Sequence, residues 1–445
     1  MSIDTKDVTL KGPSAEAVEA LSAAKQEPEW MRNKRRAAWK LSRELPLPTG
    51  TEEEWRRTDL RGLNLADYLP CPPQPTAVQR YQELPKDLLR HTILPETTTG
   101  GLVVHQDGTP VWGELDASLR RQGVIFCDLD TAVKQYPELV EPHFMTQAVA
   151  VPTNAFTALH GALWNGGLFL YVPRGVVVAL PLQALTAHTT AASMEQSHTL
   201  VIADAQSQVT LIDEQISGTS SLTGLHNGVV ELHLKAEARL TYLQMQNWSR
   251  RLWGIANQRA VLSAHSHLHW AVAGLGSRLH WTGLGVRLQE PGSSSKCVAL
   301  TLTEGRQHLD YQTSQDHLAP HTESDLLFKS VLLDRSRTVF RGVIWLRPEA
   351  QQTNAYQANH NLLLSSQARA DALPILEIEA DDVRCKHGST TGRIDEEQIF
   401  YLMSRGLSYQ EAQRIIVQGF FETVVTEFPV EGMQEKIRLT LNERI

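Results

Sequence analysis

Cys385 and His387 stand two residues apart in the run VRCKHGSTTG, just ahead of a glycine. A thiolate and an imidazole are both ligands for iron or zinc, and imidazole can replace thiolate on an iron–sulfur cluster. On extended backbone, residues i and i+2 project to one face with Cα atoms about 6.5–7 Å apart, so both side chains can approach one metal ion. Two ligands do not close a site, and the others would have to come from elsewhere. The plainer reading is a part-buried thiol and a histidine hydrogen-bonded to a turn carbonyl. Spacing alone favours that reading, because free cysteine usually behaves as a small buried hydrophobe.

Other candidates are weaker. His265, His267 and His269 in AHSHLHWA share a face if the segment is a strand, but no thiol or carboxylate accompanies them, so a surface ladder is expected. Asp310, Asp316, Glu323 and Asp325, with His317 and His321, lie in DYQTSQDHLAPHTESD, which reads as a solvated loop. A glycosidase needs two carboxylates about 5–9 Å apart, and nothing in the sequence pairs these. There is no Walker A loop, no GxSxG elbow and no GxGxxG. Cys71, Cys127 and Cys297 have no ligand-type companions nearby and read as structural.

The elements that must hold Cys385 and His387 change character along the chain. Ser14 is placed to cap a helix over AEAVEALSAAKQ, and a second amphipathic run follows Pro28 until Pro46 and Pro48 stop it. Residues 70–100 are proline-rich and read as a connector. From about residue 101 helical periodicity fades, and short Val, Leu, Ile and Tyr runs such as TLVIADA, QVTLID and RLTYLQMQ alternate with turn residues, the signature of strands. Segments starting at Ala205, Ala236, Ala264, Gly305 and Asp334 resemble one another, which narrowly favours repeating coils of a β-solenoid over a sandwich of packed sheets. The C-terminal end is helical again. Asp395 with Gln398, and Ser408 with Glu411, are spaced as capping boxes, and Gly406 stands where a helix-ending glycine belongs. Ala412, Ile415, Ile416, Gly419, Phe420 and Val424 follow helical spacing and predict one apolar face; a last helix is expected over 430–443. The expected division is a helical region and connector over 1–100, a β core over 101–392 and a helical domain over 393–445.

The chain has 445 residues, room for two or three units, with 42 basic and 50 acidic side chains. The formal charge of −8 argues against a general nucleic-acid binder. Four cysteines far apart, with no CxxC, fit a reducing compartment, and the opening MSIDTKDVTLKG has no apolar core of a secretory signal. A cytoplasmic setting is expected.

The run IEADDVRCKHGSTTGRIDEEQIFYLMSRGLSYQEAQRIIVQGF, residues 378–420, closely resembles the signature of the SufB/SufD family, the scaffold-complex proteins of the SUF iron–sulfur cluster assembly system. The likeness extends through RSRTVFRGVIWL, AYQANHNLLLS, FTALHGALWNGGLFLYVPRGV and PLPTGTEEEWRRTDL, and so over nearly the whole chain. SufB-type members carry Glu-His-Glu-Ala where this sequence has CKHGSTTG. They also carry a further cysteine upstream, where YQANHNLLLSSQARADALP has none. The sequence therefore resembles the SufD-type branch.

The resemblance implies a mainly β protein: a right-handed parallel β-helix core flanked by N-terminal and C-terminal α-helical regions. It implies a non-catalytic scaffold subunit that pairs with a SufB-type paralogue and carries the SufC-type ATPase on its C-terminal helices, where Ile415, Ile416 and Phe420 are the docking candidates. A homodimer is possible when the chain is alone. A transient iron–sulfur cluster is expected at the interface with the SufB-type chain and none stably bound to the isolated chain. His387 matches the family's contributing histidine and Cys385 the motif cysteine. A reduced flavin in the complex is left open, since no flavin-binding motif is evident. Two other readings remain: a structural partner that coordinates nothing, and a carbohydrate-active β-helix enzyme.

Overall fold

Alternating apolar residues between small-residue corners fold into strands that stack in parallel. The computed structural model describes residues 12–70, 77–89, 93 and 98–445; residues 1–11, Cys71 and parts of the proline-rich connector lie outside the described residues. Successive strands alternate between two sheets. Gln208–Ser217, Arg239–Asn247, His267–Gly274, Ser294–Thr303, Glu323–Leu332, Asn354–Leu363 and Arg384–Arg393 belong to the first. Thr223–Leu234, Arg251–Leu262, Leu279–Leu288, His308–His317, Arg337–Leu346 and Arg369–Ile378 belong to the second. Every pairing among these strands is parallel, which makes the core a β-solenoid of two strands per coil.

The coils turn at a repeated corner. Gln206, Glu237, His265, Gly292, His321 and Gln352 all have positive φ, each two residues before a strand of the first sheet. The residue after each, Ser207, Ala238, Ser266, Ser293, Thr322 or Thr353, is buried. A tight left-handed step and a small side chain beneath it let the chain reverse without opening the interior. His265 therefore sits in a corner and not on the strand with His267 and His269.

Inward residues of the two sheets meet in one core: Leu240, Tyr242, Leu268, Trp270, Cys297 and Leu326 face Leu232, Leu284, Val286, Leu309, Tyr311 and Phe340. Both outer faces are covered as well, which is why the strands read as near-continuous apolar runs. The C-terminal helices pack Val417, Phe421, Val424 and Ile437 on Ile212, Leu243, Ala271 and Val298 of the first sheet. On the second sheet, Trp55 stacks on Trp281 with ring centroids 4.2 Å apart, beside Phe156 and Ile255.

Ser14 caps the helix Ala15–Lys25 as expected, its Oγ accepting from the Ala17 N–H at 3.1 Å, and Glu29–Glu44 follows Pro28. Two expectations fail. Helical structure does not end at residue 101: Ala117–Arg121, Leu129–Gln135 and Ala155–Leu163 are helices. Every residue of Ala155–Leu163 is buried, so the segment has no polar face to betray its period. DYQTSQDHLAPHTESD is not a solvated loop but parts of two strands and the corner between them. Its polar residues have specific partners: Asp310 is buried and accepts from Thr58 and Gln312, and buried His317 bonds Thr322 and Ser324 at 2.7 and 2.8 Å.

Candidate functional site

Cys385 and His387 lie on Arg384–Arg393, the last strand of the first sheet, which pairs on one side only, with Asn354–Leu363. The register fixes their direction. His387 stands opposite Gln357, which stands opposite Leu326, which stands opposite Cys297. Those three are buried, Leu326 and Cys297 in the core between the sheets, so the His387 column faces inward. Cys385 continues the neighbouring inward column of Ser295, Ser324 and Ala355. The extended backbone thus puts both candidate ligands on one face, and that face is the interior of the solenoid.

What differs is cover. Strand Arg384–Arg393 and its counterpart Arg369–Ile378 end their sheets, so among the described residues no further coil closes over them. His387 is exposed, and Cys385 is half-buried against Ile344, Leu346, Leu376 and Val383. Burial pushes the Cys385 thiol up to about 11. The thiol is therefore protonated near neutral pH, and metal binding would have to release that proton. Gln357 lies beneath His387. Its Nε2 donates to the Gly342 and Ile375 carbonyls at 3.1 and 3.3 Å, while its Oε1 is buried with no partner. A Cβ at Gly342 would stand 2.2 Å from that oxygen, so the glycine makes room for the amide. Sequence reasoning passed over Gln357, and only the ladder register connects it to His387. Among the described residues no group of three or more His, Cys, Asp or Glu side chains is arranged to hold a metal ion. Cys385 and His387 are half a site.

The same strand leads into the C-terminal helices. Ile394 is buried, and Asp395 caps Glu396–Ser404 by accepting from the Glu397 N–H at 2.9 Å, without the expected Gln398 partner. Gly406 has φ +97° at the expected stop, and Ser408 with Glu411 forms the expected capping box on Tyr409–Val425. The expected apolar face is met in part: Ala412 and Val424 are buried and Ile416 and Phe420 half-buried, while Ile415 and Gly419 are exposed. The helix also buries Val417, Phe421 and Val425. Apolar residues recur in adjacent pairs here, so periodicity leaves the phase open by one residue and packing on the first sheet decides it.

Of the three docking candidates, Ile415 is 44% exposed. Ile416 is half-buried beside Ile394 and Ile399, and Phe420 packs on Lys329, whose Nζ donates to its carbonyl at 2.8 Å. Phe400, 74% exposed, and Tyr401, Met403 and Tyr409 are further exposed apolar residues of the same two helices. The other two described cysteines behave as structural groups: Cys297 is buried and Cys127 half-buried, and burial pushes both thiols up to about 12. Among the described residues no helix is long and apolar enough to cross a membrane.

Comparison with known proteins accounts for most of the chain. Residues 18–184 match the SufBD protein N-terminal region, and residues 185–420 match the SUF system FeS cluster assembly SufBD core domain. The iron–sulfur cluster assembly protein SufD of Bacillus subtilis is 31% identical, with 97% of each chain covered. The iron–sulfur cluster assembly protein SufB of the same organism is 28% identical over 98% of this chain and 94% of its own. An iron–sulfur cluster assembly SufBD family protein of Staphylococcus saprophyticus is 29% identical over 96% of this chain and 92% of its own.

Proposed function

Since the chain belongs to the SufBD family of SUF-system iron–sulfur cluster assembly proteins, we propose that it is a non-catalytic, SufD-type scaffold subunit whose open solenoid end supplies ligands to a cluster built against a SufB-type partner. The observation that carries this reading is the inward pair Cys385 and His387 on a coil that no further described coil covers. A partner docked on this end brings its own thiolates or carboxylates over the pair and completes the coordination. The cluster is cargo, held while the two chains are apposed. Separation of the chains dismantles the site, which couples release to movement of the interface. Terminal parallel strands with free edges suit such a partner, since unpaired N–H and C=O groups are a template for association.

An ATPase of the SufC type is the source of movement in this proposal. It docks on the exposed apolar surface of Phe400, Tyr401 and Ile415, on helices that continue directly from the strand bearing His387. The cytoplasm is the expected setting. Co-expression with a SufB-type chain and the ATPase tests the docking surface. Phe400→Ser with Ile415→Ser is expected to lose the ATPase on affinity purification and to keep the SufB-type chain. Retention of both partners at wild-type stoichiometry would contradict this assignment.

A further inference from the structure

The charge of this acidic chain is sorted between the two corners of the solenoid. On the corner that leads from the first sheet to the second, each coil from residue 250 onward presents an exposed arginine: Arg250 and Arg251, then Arg278, Arg306, Arg335 and Arg369. On the opposite corner exposed acidic residues predominate, with Glu237, Glu349, Glu379, Asp381 and Asp382 against Arg239 and Arg384. Three carboxylates near the arginine ridge are already engaged. Glu304 pairs with both Arg250 and Arg444, Asp371 with both Arg337 and Arg369, and Asp334 accepts from the Gly305 N–H at 2.7 Å. One carboxylate held by two guanidiniums leaves positive charge over. Arg278 lies over the Trp253 ring at 4.8 Å, and neither it nor Arg306 has an ion pair among the described residues. Cavities of about 620 and 450 Å³ open along the ridge between these side chains. The N-terminal segment reaches the ridge, since a Cβ at Gly62 would stand 3.9 Å from Arg278 Nη2, and neighbouring Arg61 is paired with Asp59.

We infer that this arginine ridge is a docking surface for an extended acidic segment of a partner protein. Parallel coils are stacked about 4.8 Å apart, so the ridge from Arg250 to Arg369 spans roughly 19 Å, the length of about six extended residues. Guanidinium forks bind carboxylates in bidentate pairs, and the ridge uses arginine at every coil and lysine at none. Nucleic acid fits less well. Among the described residues no exposed aromatic side chain stands among these arginines to stack a base. The inference holds whether or not Cys385 and His387 bind a cluster.

The test uses the full chain and a fluorescein-labelled ten-residue glutamate-rich peptide, read by fluorescence anisotropy. Binding is expected at about 50 mM salt and should weaken steeply as salt rises, as screening requires. Arg278→Gln, Arg306→Gln and Arg335→Gln combined should lower affinity by about tenfold or more. Arg120→Gln with Arg121→Gln, elsewhere on the surface, should leave affinity unchanged, and unchanged melting temperatures show that both variants fold. No binding by the wild type at low salt, or equal binding by the triple variant, would overturn the inference. Tighter binding of a ten-nucleotide oligothymidylate than of the peptide would overturn the assignment to an acidic protein segment.

Discussion

Cys297 and His387 occupy the same inward column, three coils apart, and meet opposite fates. Around Cys297 the next coil, Trp270 and the facing sheet exclude water, and the thiol becomes a packing group held at about 12. At His387 the column runs out of coils and the same inward direction leads to solvent. A solenoid thus makes a site by stopping: identical backbone geometry yields core wherever a following coil exists and exposed ligands where it does not.

The largest effect expected from this contrast is on stability. Trp270→Ala, in the middle coils, should cost about 3–5 kcal/mol through the cavity it leaves. Leu376→Ala, facing inward on the terminal strand and only half-buried, should cost well under half as much. Urea denaturation separates the two, and equal losses would mean that the last coil is as well sealed as the middle.

A second effect concerns pH. Burial pushes Asp310 up to about 7, against the hydrogen bonds from Thr58 and Gln312, which lower it. The folded chain then holds a proton that the unfolded chain releases near pH 4, so this group's contribution to stability falls as pH rises from about 4 to about 7 and is constant above that. Asp310→Asn should flatten the melting temperature across that window. An unchanged slope would show that Asp310 is ionised in the folded state.

These contrasts also mark what the sequence could tell. Ser14, Ser408, Gly406 and the helix–strand–helix order were legible because caps and periods are local. The corners at Ala205, Ala236 and Ala264 were legible as repeats, but Gly305 and Asp334, read as members of the same set, lead into strands of the second sheet, while GSSS, HTES and QTNA occupy the equivalent corners and share only a left-handed step over a small buried residue. That rule is conformational, and letters encode it poorly. The pairing of Cys385 with His387 on one face followed from spacing once the segment proved extended. That the face is inward, that nothing covers it and that Gln357 lies under it follow from register between coils, which no single segment carries. The polar strand residues His308–His317 misled for the same reason: their partners, Thr58 among them, come from distant chain.

The smallest effect is one of reactivity. With the folded chain in iodoacetamide at about pH 8, Cys385 should be alkylated at least several-fold faster than Cys297, since of the two only Cys385 is partly accessible and both thiols resist ionisation. Mass spectrometry of the tryptic peptides gives the order, and a docked SufB-type partner should slow Cys385 alone. Faster labelling of Cys297 would contradict the difference in cover.

The central claim is that the uncovered pair holds the cluster jointly with a partner chain. It is tested most directly by iron and acid-labile sulfide per complex, after anaerobic co-expression with a SufB-type chain and the ATPase, for wild type, His387→Ala and Cys385→Ala. The account predicts that His387→Ala loses most of both while the complex stays assembled, and the Cys385 variant then shows whether the thiol is a ligand as well. Normal loading by both variants in an intact complex would contradict it, and would leave this chain as the purely structural half of the scaffold.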